Sequence, residues 1–410
     1  MKTLITAILG LVLSLALLEG LCQGYYLLKN KSAYDSGRIL GALGASADSA
    51  ASGPRLPELY TDQREIIHPY VGYVRDYNDD FRAHFGYATE HPPLVQRAPD
   101  RLTVALFGGS VAMHLHAALE AAFAKALAAS GDPRRAVLVS FALGGYKQPQ
   151  QLMSLEYFLA LGASFDVVIN VDGFNEIALP YADNLPQGVF PYYPRLWDQR
   201  VSDSLDPGRL KVLVAIAAAR EKLAAVVSSL RAPVLSRSAA WGLWAGWRAA
   251  NLQREIAAQN AAIGKDGTKP FVQSGPPFAN TDPQATMAAL AQFWARCSRL
   301  MQAASAASGS AYYHFLQPNQ YVADTKPLSQ EEKNTAYAPE EPYSRAARLG
   351  YPALLAAGRE LAASGIPYID ATTVFTDHPE TLYSDTCCHL NPAGYDILAD
   401  FIVSRVLPRR

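Results

Sequence analysis

Short apolar runs along this chain alternate with longer stretches in which apolar residues recur at helical spacing. The short runs predict five strands, at about 103–107, 136–142, 165–171, 311–316 and 366–369. Helical spacing predicts helices at about 283–306 and 345–364, and a last helix that starts at Asn391 and Pro392, a favoured cap and first residue. Apolar strands that alternate with helices predict an α/β fold. We expect a three-layer α/β/α sandwich around a five-stranded parallel sheet.

The stretch at about 180–280 departs from this alternation. Turns rich in proline and tyrosine are followed by helical runs at about 209–230 and 236–263. The second run contains three tryptophans spaced i, i+3 and i+6, namely Trp241, Trp244 and Trp247. A row of aromatic residues at this spacing is more typical of packing than of a ligand platform. We interpret the whole stretch as a helical insertion beside the sheet.

The N-terminus has the pattern of a targeting segment. Lys2 is followed by an uncharged apolar run at 4–18, Glu19 interrupts it, and a second apolar run reaches Lys29. Because about 20 apolar residues suffice to cross a bilayer, we expect residues 1–28 to form an uncleaved signal anchor, a transmembrane helix. A cleaved signal peptide, which would leave a secreted protein, is the alternative. Either export signal favours a soluble part outside the cytoplasm, on the periplasmic or extracellular side.

The remainder of the chain divides into a connecting region and one large domain. Residues 32–60 are rich in Gly, Ala and Ser and are typical of a loose linker, while 61–100 suggest an extended segment lying on the domain. We therefore predict a linker and extended segment at 29–100, and a domain at 101–410 that includes the insertion.

Composition narrows the classes of function. Half of the 410 residues are apolar and 18% are charged, so a sizeable core is expected. The formal net charge is −1, without a basic patch of the kind that binds nucleic acid. No spacing of Cys and His fits a metal site, so we expect neither a metal nor a cofactor. The oligomeric state is left open.

The clearest candidate for chemistry is Ser110. It follows Gly108 and Gly109 where the first predicted strand turns into a helix. Unpaired backbone N–H groups and the positive end of the helix dipole gather at such a turn, and both stabilise the negative charge that acyl transfer from a serine develops. Serine is also a favoured helix cap, so the position alone does not establish a nucleophile.

Three further blocks lie at the predicted edge where sites form in open parallel sheets. Gly145 follows the second strand, Asn175 follows the third, and Asp385 with His389 precede the last helix. A histidine can take the proton of a nucleophilic serine, and a carboxylate can orient that histidine. The developing oxyanion needs donors, for which we select the backbone N–H groups of Ser110 and Gly145 and the side-chain amide of Asn175.

These blocks resemble the SGNH (GDSL-type) hydrolase superfamily over about residues 100–180 and 310–405. The matching residues are Gly108-Gly109-Ser110 for Gly-Asp-Ser, Gly145 for the second-block glycine, Gly173-Phe174-Asn175-Glu176 for Gly-x-Asn-Asp/Glu, and Asp385 with His389 for the final block. The resemblance implies a flavodoxin-like SGNH fold without a metal. It also implies ester or acyl-glycan substrates.

The chain departs from the family pattern at two positions. Gly109 stands where the family has aspartate, which leaves the nucleophile in place. Three residues separate Asp385 from His389 instead of the usual two, so Asp377 is kept as an alternative partner for the histidine. The α/β-hydrolase elbow Gly-x-Ser-x-Gly is a poorer match because its last position is Ala112.

The resemblance implies an exported serine hydrolase, an esterase that removes an acyl group through Ser110, His389 and Asp385. The expected substrate is an acylated small molecule or glycan, with an O-acetyl group of a glycan as the first choice. One alternative is an O-acyltransferase that uses the same residues on a cell-envelope or exported polysaccharide. Another is a non-catalytic glycan-binding or assembly protein. We also expect the insertion at 180–280 to border the active-site mouth, since it leaves the core directly after the Asn175 block.

The cysteines suggest a cross-link near the predicted histidine. An oxidising compartment favours pairing, and a bond between the adjacent Cys387 and Cys388 would be strained. We therefore predict that Cys297 bonds to Cys387 or Cys388. Such a bond would close a loop of about 90 residues, worth about 3–5 kcal/mol in the chain-entropy model. It would also account for the extra residue between Asp385 and His389.

Overall fold

A computed structural model describes residues 2–31, 33–37, 39–40, 65–75, 84–201, 207–265, 269–280 and 282–407. Contacts divide the chain into two compact units. The anchor unit comprises Met1–Glu58 and Ser202–Lys269, and the sheet unit comprises Leu59–Val201 and Pro270–Arg410. The predicted linker and extended segment fall partly on 41–64 and 76–83, which lie outside the described residues.

Seven strands and twelve α-helices lie in the described part of the chain. The strands are β1 (Glu65–His68), β2 (Gly72–Arg75), β3 (Arg101–Gly108), β4 (Arg135–Ser140), β5 (Val167–Asp172), β6 (Ala311–Leu316) and β7 (Tyr368–Asp370). The helices are α1 (Lys2–Asn30), α2 (Ser110–Ser130), α3 (Gln150–Ala160), α4 (Phe174–Leu179), α5 (Trp197–Arg200), α6 (Pro207–Ser229), α7 (Ala239–Lys265), α8 (Phe271–Ser274), α9 (Pro283–Ala307), α10 (Gln330–Thr335), α11 (Pro342–Ala363) and α12 (Pro392–Val406).

The sheet unit is built on a five-stranded parallel sheet with the order β4-β3-β5-β6-β7. The predicted parallel sheet is therefore confirmed, although the ends of several strands differ from those expected by a few residues. Side chains of β3 alternate between the two faces, as the strand pleat requires. Val104 and Leu106 pack in a cluster with α2, α11 and α12, while Ala105 and Phe107 pack in a second cluster with α3. Helices thus cover both faces.

The segment before β3 carries a hairpin that the sequence pattern did not reveal. Strands β1 and β2 pair antiparallel, with Ile66 opposite Val74. Tyr73 of β2 and Tyr87 are fully buried in the cluster on the α3 face of the sheet, together with Val95. The described parts of this segment therefore pack on the sheet unit through these three residues.

The anchor unit combines the N-terminal helix with the helical part of the predicted insertion. Helices α6 and α7 share a cluster with Ile39 and Leu40, and α1 contacts α7. The insertion predicted at 180–280 is thus divided, because its flanks at 180–201 and 270–280 belong to the sheet unit. Within α1, the segment Thr6–Lys29 is long and apolar enough to cross a membrane, as a signal or an anchor.

Candidate active site

Three adjacent strands bring the predicted blocks to one edge of the sheet. Because β3 lies between β4 and β5, the turns that follow these three strands are neighbours in space. Ser110 follows β3 as the first residue of α2, and Gly109 is the extended residue that precedes it. Gly145 lies in the turn after β4, and Asn175 lies in α4, directly after β5. Parallel sheets bind ligands at this edge, where the strand order reverses.

Ser110, His389 and Asp385 form a continuous hydrogen-bonded row. His389 Nε2 lies 2.7 Å from the Oγ of Ser110. The other ring nitrogen, Nδ1, is hydrogen-bonded to Oδ2 of Asp385. The side chains are partly exposed, so substrate and water have access to them. This is the geometry in which a histidine acts as base for a serine while a carboxylate orients its ring.

Asp385 also organises the turn that leads to His389. Its second oxygen, Oδ1, accepts the backbone N–H groups of Cys387, Cys388 and His389 at 2.9, 3.0 and 3.2 Å. Burial raises the pKa of Asp385, but the hydrogen bond and charge of His389 and the backbone donors outweigh it, so that the pKa falls to about 2. The three intervening residues therefore close a turn around the carboxylate, which accommodates the spacing that departs from the family pattern. Asp377, the alternative partner, is exposed.

Three consecutive side chains after β6 hold this turn in place. They donate hydrogen bonds to carbonyl oxygens of the turn, in the pairs Gln320 with Asp385 at 2.9 Å, Tyr321 with Thr386 at 2.8 Å and Asn319 with Cys387 at 3.2 Å. These hydrogen bonds fix the turn to the segment that follows β6. No local sequence pattern pointed to residues 319–321.

The predicted disulfide between Cys297 and Cys387 or Cys388 is not formed. All four cysteines lie in the described residues, and each thiol is free. Cys297 is buried in the cluster on the α3 face of the sheet, whereas Cys388 is buried in the cluster on the opposite face. The hydrogen bonds from 319–321 provide the attachment that we had assigned to a cross-link.

Asn175 and the glycine before Ser110 fit closely together. A Cβ atom added to Gly109 would lie 2.2 Å from Nδ2 of Asn175, so a larger residue at 109 would displace the amide. Nδ2 donates one hydrogen bond to the carbonyl oxygen of Tyr146 at 2.8 Å. Since a primary amide carries two protons, a second donor remains for a substrate oxygen. The close approach of Asn175 therefore suits a glycine at position 109.

We predict that Asn175→Ala lowers kcat for an ester substrate by roughly a hundred- to a thousand-fold, because the substitution removes one oxyanion donor. Steady-state kinetics on the purified full-length protein provide the measurement. An unchanged kcat with a raised KM would show instead that the amide only positions the substrate.

Gly145 has a backbone conformation and surroundings that exclude a side chain. Its φ is +78°, and an added Cβ would lie 2.9 Å from the Tyr73 hydroxyl and 3.2 Å from Cδ of Arg195. Tyr73 donates to the carbonyl oxygen of Gly144 at 2.8 Å, which fixes this turn from the β1–β2 hairpin. Arg195 belongs to the flank at 180–201, so the start of the predicted insertion does border the site. The relation of α6 and α7 to this edge stays a prediction.

Glu176 connects two of the blocks from a buried position. Its Oε2 accepts the N–H of Gly173 at 2.7 Å, and its Oε1 accepts the N–H of Gln148 at 3.0 Å and Nε2 of Gln151 at 3.1 Å. Burial, followed by the charge of the neighbouring Asp172, raises the pKa of Glu176 to about 8. Glu176 therefore fixes the turn after β4 to the start of α4.

Lys147 connects the same turn to the flank that carries Arg195. It is buried, and its Nζ donates to the carbonyl oxygens of Pro191 and Tyr193, both at 2.6 Å. Burial lowers the pKa of Lys147 to about 7, and the smaller effects of Glu176 and Asp183 oppose this change. A neutral amine retains two N–H groups, enough for both carbonyl oxygens.

The depressed pKa of Lys147 predicts a pH-dependent stability. Between about pH 7 and the ordinary value of 10.5, the unfolded chain binds a proton that the folded chain has released. Lys147 therefore makes unfolding less favourable as pH rises through that window. We expect the wild-type urea midpoint to increase, relative to that of Lys147→Met, between pH 7 and 9.5. Lys125→Met, at an exposed lysine, is the control. Urea midpoints that change equally with pH in the wild type and in Lys147→Met would contradict the prediction.

His114, interpreted from the sequence as an ordinary helix residue, contacts the row formed by Ser110, His389 and Asp385. Its ring meets that of His389 edge-on, with centroids 5.6 Å apart. Burial lowers the pKa of His114, and the charge of His389 lowers it further. One signal was available: His114 lies four residues after Ser110, one helical turn further along the same face of α2.

A second Ser–His–Asp row lies in the core. His314 of β6 contacts Ser298 Oγ through Nδ1 and Asp172 Oδ1 through Nε2, each at 2.7 Å. All three residues are at most 1% exposed, so no substrate reaches this serine. The sequence interpretation that His314 could face the core is confirmed. Trp294 Nε1 also donates to Asp172, at 2.6 Å, and the row is part of a buried polar network.

One group of side chains at the site has metal-ligand chemistry. The ligand atoms of Cys387, Cys388 and His389 lie within 4.8 Å of one another. Both ring nitrogens of His389 already face Ser110 and Asp385, so a metal held by His389 would remove the base from the row.

Comparisons with known proteins add no relative. No protein-family model matches the chain, and a comparison with curated proteins gives no match. The case for a function therefore depends on the geometry of the residues described above.

Proposed function

We propose that this protein is an exported serine esterase of the SGNH type, which removes an acyl group from its substrate, with an O-acetyl group of a glycan as first choice. The observation that carries the proposal is the row from Asp385 through His389 to Ser110, beside Asn175 at the edge of the sheet. When the five parallel strands are numbered in chain order, their order across the sheet is 2-1-3-4-5. Flavodoxin-like folds have the same order, which supports the family assignment.

In the proposed mechanism, His389 Nε2 takes the proton of Ser110 as Oγ attacks the acyl carbonyl. The tetrahedral oxyanion accepts hydrogen bonds from the free N–H of the Asn175 amide and from the backbone N–H groups of Ser110 and Gly145. The bond between the acyl carbon and the alkoxide oxygen then breaks, His389 gives the proton to this oxygen so that it leaves as an alcohol, and the acyl group stays on Ser110 Oγ. Water then attacks the acyl carbon while His389 takes its proton; the bond to Ser110 Oγ breaks, the acid is released, and His389 returns the proton to Oγ.

The second candidate is an O-acyltransferase, in which a sugar hydroxyl replaces water in the last step. A cavity of about 450 Å³ in the sheet unit favours it. The walls of the cavity include Pro149 and Gln150, close in the chain to Gly145, and Pro194, next to Arg195. Its aromatic residues are His68, Tyr70, Tyr192, Tyr193, Trp197 and Phe271. Flat aromatic rings pack well on the apolar faces of sugar rings, so such a cavity suits a glycan acceptor.

The test uses the full-length protein in detergent with an aryl acetate, with and without oligosaccharide acceptors. Release of acetate that depends on Ser110, together with labelling of Ser110 by a fluorophosphonate, is the expected result. Mass spectrometry of the oligosaccharide separates the two candidates, because only a transferase yields an acetylated sugar. If the acetate is not released and Ser110 stays unlabelled, the enzyme proposal fails and a non-catalytic glycan-binding role takes its place.

We also propose that the sheet unit lies outside the cytoplasm, with α1 as its signal or anchor. The export-type pattern of Lys2 and the apolar helix support this location. A C-terminal alkaline phosphatase fusion, which is active only after export, tests it. An inactive phosphatase fusion beside an active cytoplasmic reporter at the same position would contradict this orientation.

A further inference from the structure

Glu19 stands out in α1 because it is the one acidic residue within the segment Thr6–Lys29. Its carboxylate is bonded to the start of α7: Oε2 accepts the hydroxyl of Ser238 at 2.7 Å and the N–H of Ala240 at 3.2 Å, and Oε1 accepts the N–H of Ala239 at 2.7 Å. The positive end of a helix dipole favours a carboxylate at this place. Gln23 of α1 donates to Oε1 as well, at 3.0 Å, so the carboxylate has donors both from its own helix and from the start of α7.

We call the contact between Glu19 and the start of α7 the joint. Further contacts between α1 and the anchor unit follow it along the chain. Tyr26 is buried and meets Tyr34 edge-on, with ring centroids 5.1 Å apart. The ring of Tyr34 lies against Gly242 of α7, where an added Cβ would come within 2.3 Å of it. Helix α7 therefore runs beside the part of α1 that follows Glu19, whereas the side chains at 6–18 are exposed.

The joint sets the depth that α7 reaches. Lys29, at the end of the apolar segment, lies ten residues after Glu19, which is about 15 Å along a helix. The loop between α6 and α7 is therefore level with residues inside the segment that is long enough to cross a membrane. If α1 crosses a bilayer, the beginning of α7 meets the same bilayer.

The chemistry of this part of the anchor unit suits lipid. We define the hairpin tip as residues 223–247, in which Arg231 and Arg237 are the charged residues. Three of its apolar side chains face outward, Val234 at 81% exposure, Trp244 at 44% and Trp247 at 61%. Trp247 and Trp244 were expected to pack, as Trp241 largely does. Tryptophan beside arginine is typical of the lipid–water interface, where the ring is partly buried and the guanidinium meets phosphate.

We propose that the hairpin tip is embedded in the leaflet nearer Lys29, beside α1, and that α1 is a retained structural member of the anchor unit and not a cleaved signal peptide. The occupant of the exposed tryptophan face is lipid, because these tryptophans lie on α7, whose first residues contact an apolar helix of membrane-spanning length. Its contact is fixed by Glu19, whose donors come from Ser238 and α7. The proposal is independent of the chemistry at Ser110.

The first test uses the full-length protein in phosphatidylcholine–phosphatidylglycerol vesicles whose acyl chains carry bromine, a short-range quencher of tryptophan fluorescence. The protein has five tryptophans, at 197, 241, 244, 247 and 294. We expect brominated lipid to quench the wild type, and the double variant Trp244→Phe, Trp247→Phe to lose at least half of that quenching. Trp197→Phe, in the sheet unit, is the matched control and should lose little. No quenching of the wild type, or equal quenching of the double variant, overturns the proposal.

The second test examines the joint itself. In the same vesicles, hydrogen–deuterium exchange at Ala239 and Ala240 should become at least tenfold faster in Glu19→Ala. Leu21→Ala, at an exposed position of α1, should leave it unchanged. The intact mass of the membrane-extracted protein should be that of a chain that still contains residues 2–24. The proposal is overturned if the mature chain starts after α1, or if exchange at Ala239 and Ala240 is equal in the two variants. It is also overturned if a dimer shields the tryptophans in the absence of lipid.

Discussion

Replacing Ser110 with alanine is expected to lower kcat/KM for an acetyl ester by several powers of ten, because the attacking oxygen is lost while the rest of the site stays in place. The fold should be retained, since Ser110 is a half-buried first residue of α2 and the substitution removes a single oxygen. Ester hydrolysis and thermal unfolding of the purified full-length variant provide the two measurements.

The second Ser–His–Asp row supplies a matched control for this experiment. Ser298→Ala removes the same atom from a serine that also contacts a histidine, but this serine is buried in the core. We expect Ser298→Ala to retain ester turnover within a few-fold and to lose some thermal stability. Wild-type kcat/KM in Ser110→Ala would show that Ser110 is not the nucleophile.

Asp385→Asn is expected to reduce kcat by roughly ten-thousand-fold, the loss seen when the orienting carboxylate of such a row is replaced by an amide. The substitution should preserve the turn, because the amide oxygen can still accept the N–H groups of Cys387, Cys388 and His389. The amide nitrogen then faces His389 Nδ1 and favours the ring tautomer that cannot accept the proton of Ser110. The pH dependence of kcat, measured beside that of the wild type, checks the assignment.

Asp377→Asn is the control that decides between the two candidate carboxylates. Asp377 is exposed, whereas Asp385 contacts His389 directly. We expect Asp377→Asn to keep wild-type kcat. A large loss of kcat in Asp377→Asn with little loss in Asp385→Asn would show that Asp377 is the carboxylate that orients His389.

Much of the fold could be predicted because its signals are local. The apolar runs of β3, β5 and β6 are bounded by turns, and the Asn391 side chain caps α12 at the N–H of Gly394, as the Asn-Pro pair indicates. The candidate site could be predicted from the sequence for the same reason. Each of its blocks directly follows a strand end or precedes a helix, and neighbouring parallel strands gather such positions at one edge.

The features that escaped prediction depend on partners far away in the chain. The turn at Asp385 is held by 319–321, the turn at Gly145 is held by Tyr73, and α7 joins Glu19. None of these contacts leaves a periodic pattern, because each requires only one polar side chain at the right place. The disulfide prediction failed for a related reason, since spacing along the chain does not reveal which face of the sheet a cysteine occupies.

The separation of Ser110 from His389, 279 residues along the chain, also concerns the order in which the protein is made. Synthesis delivers Ser110 well before His389. A nascent or truncated polypeptide that ends before His389 lacks the ring to which the Ser110 hydroxyl is hydrogen-bonded. We therefore expect the proposed reactivity of Ser110 to arise only once His389 has docked beside it.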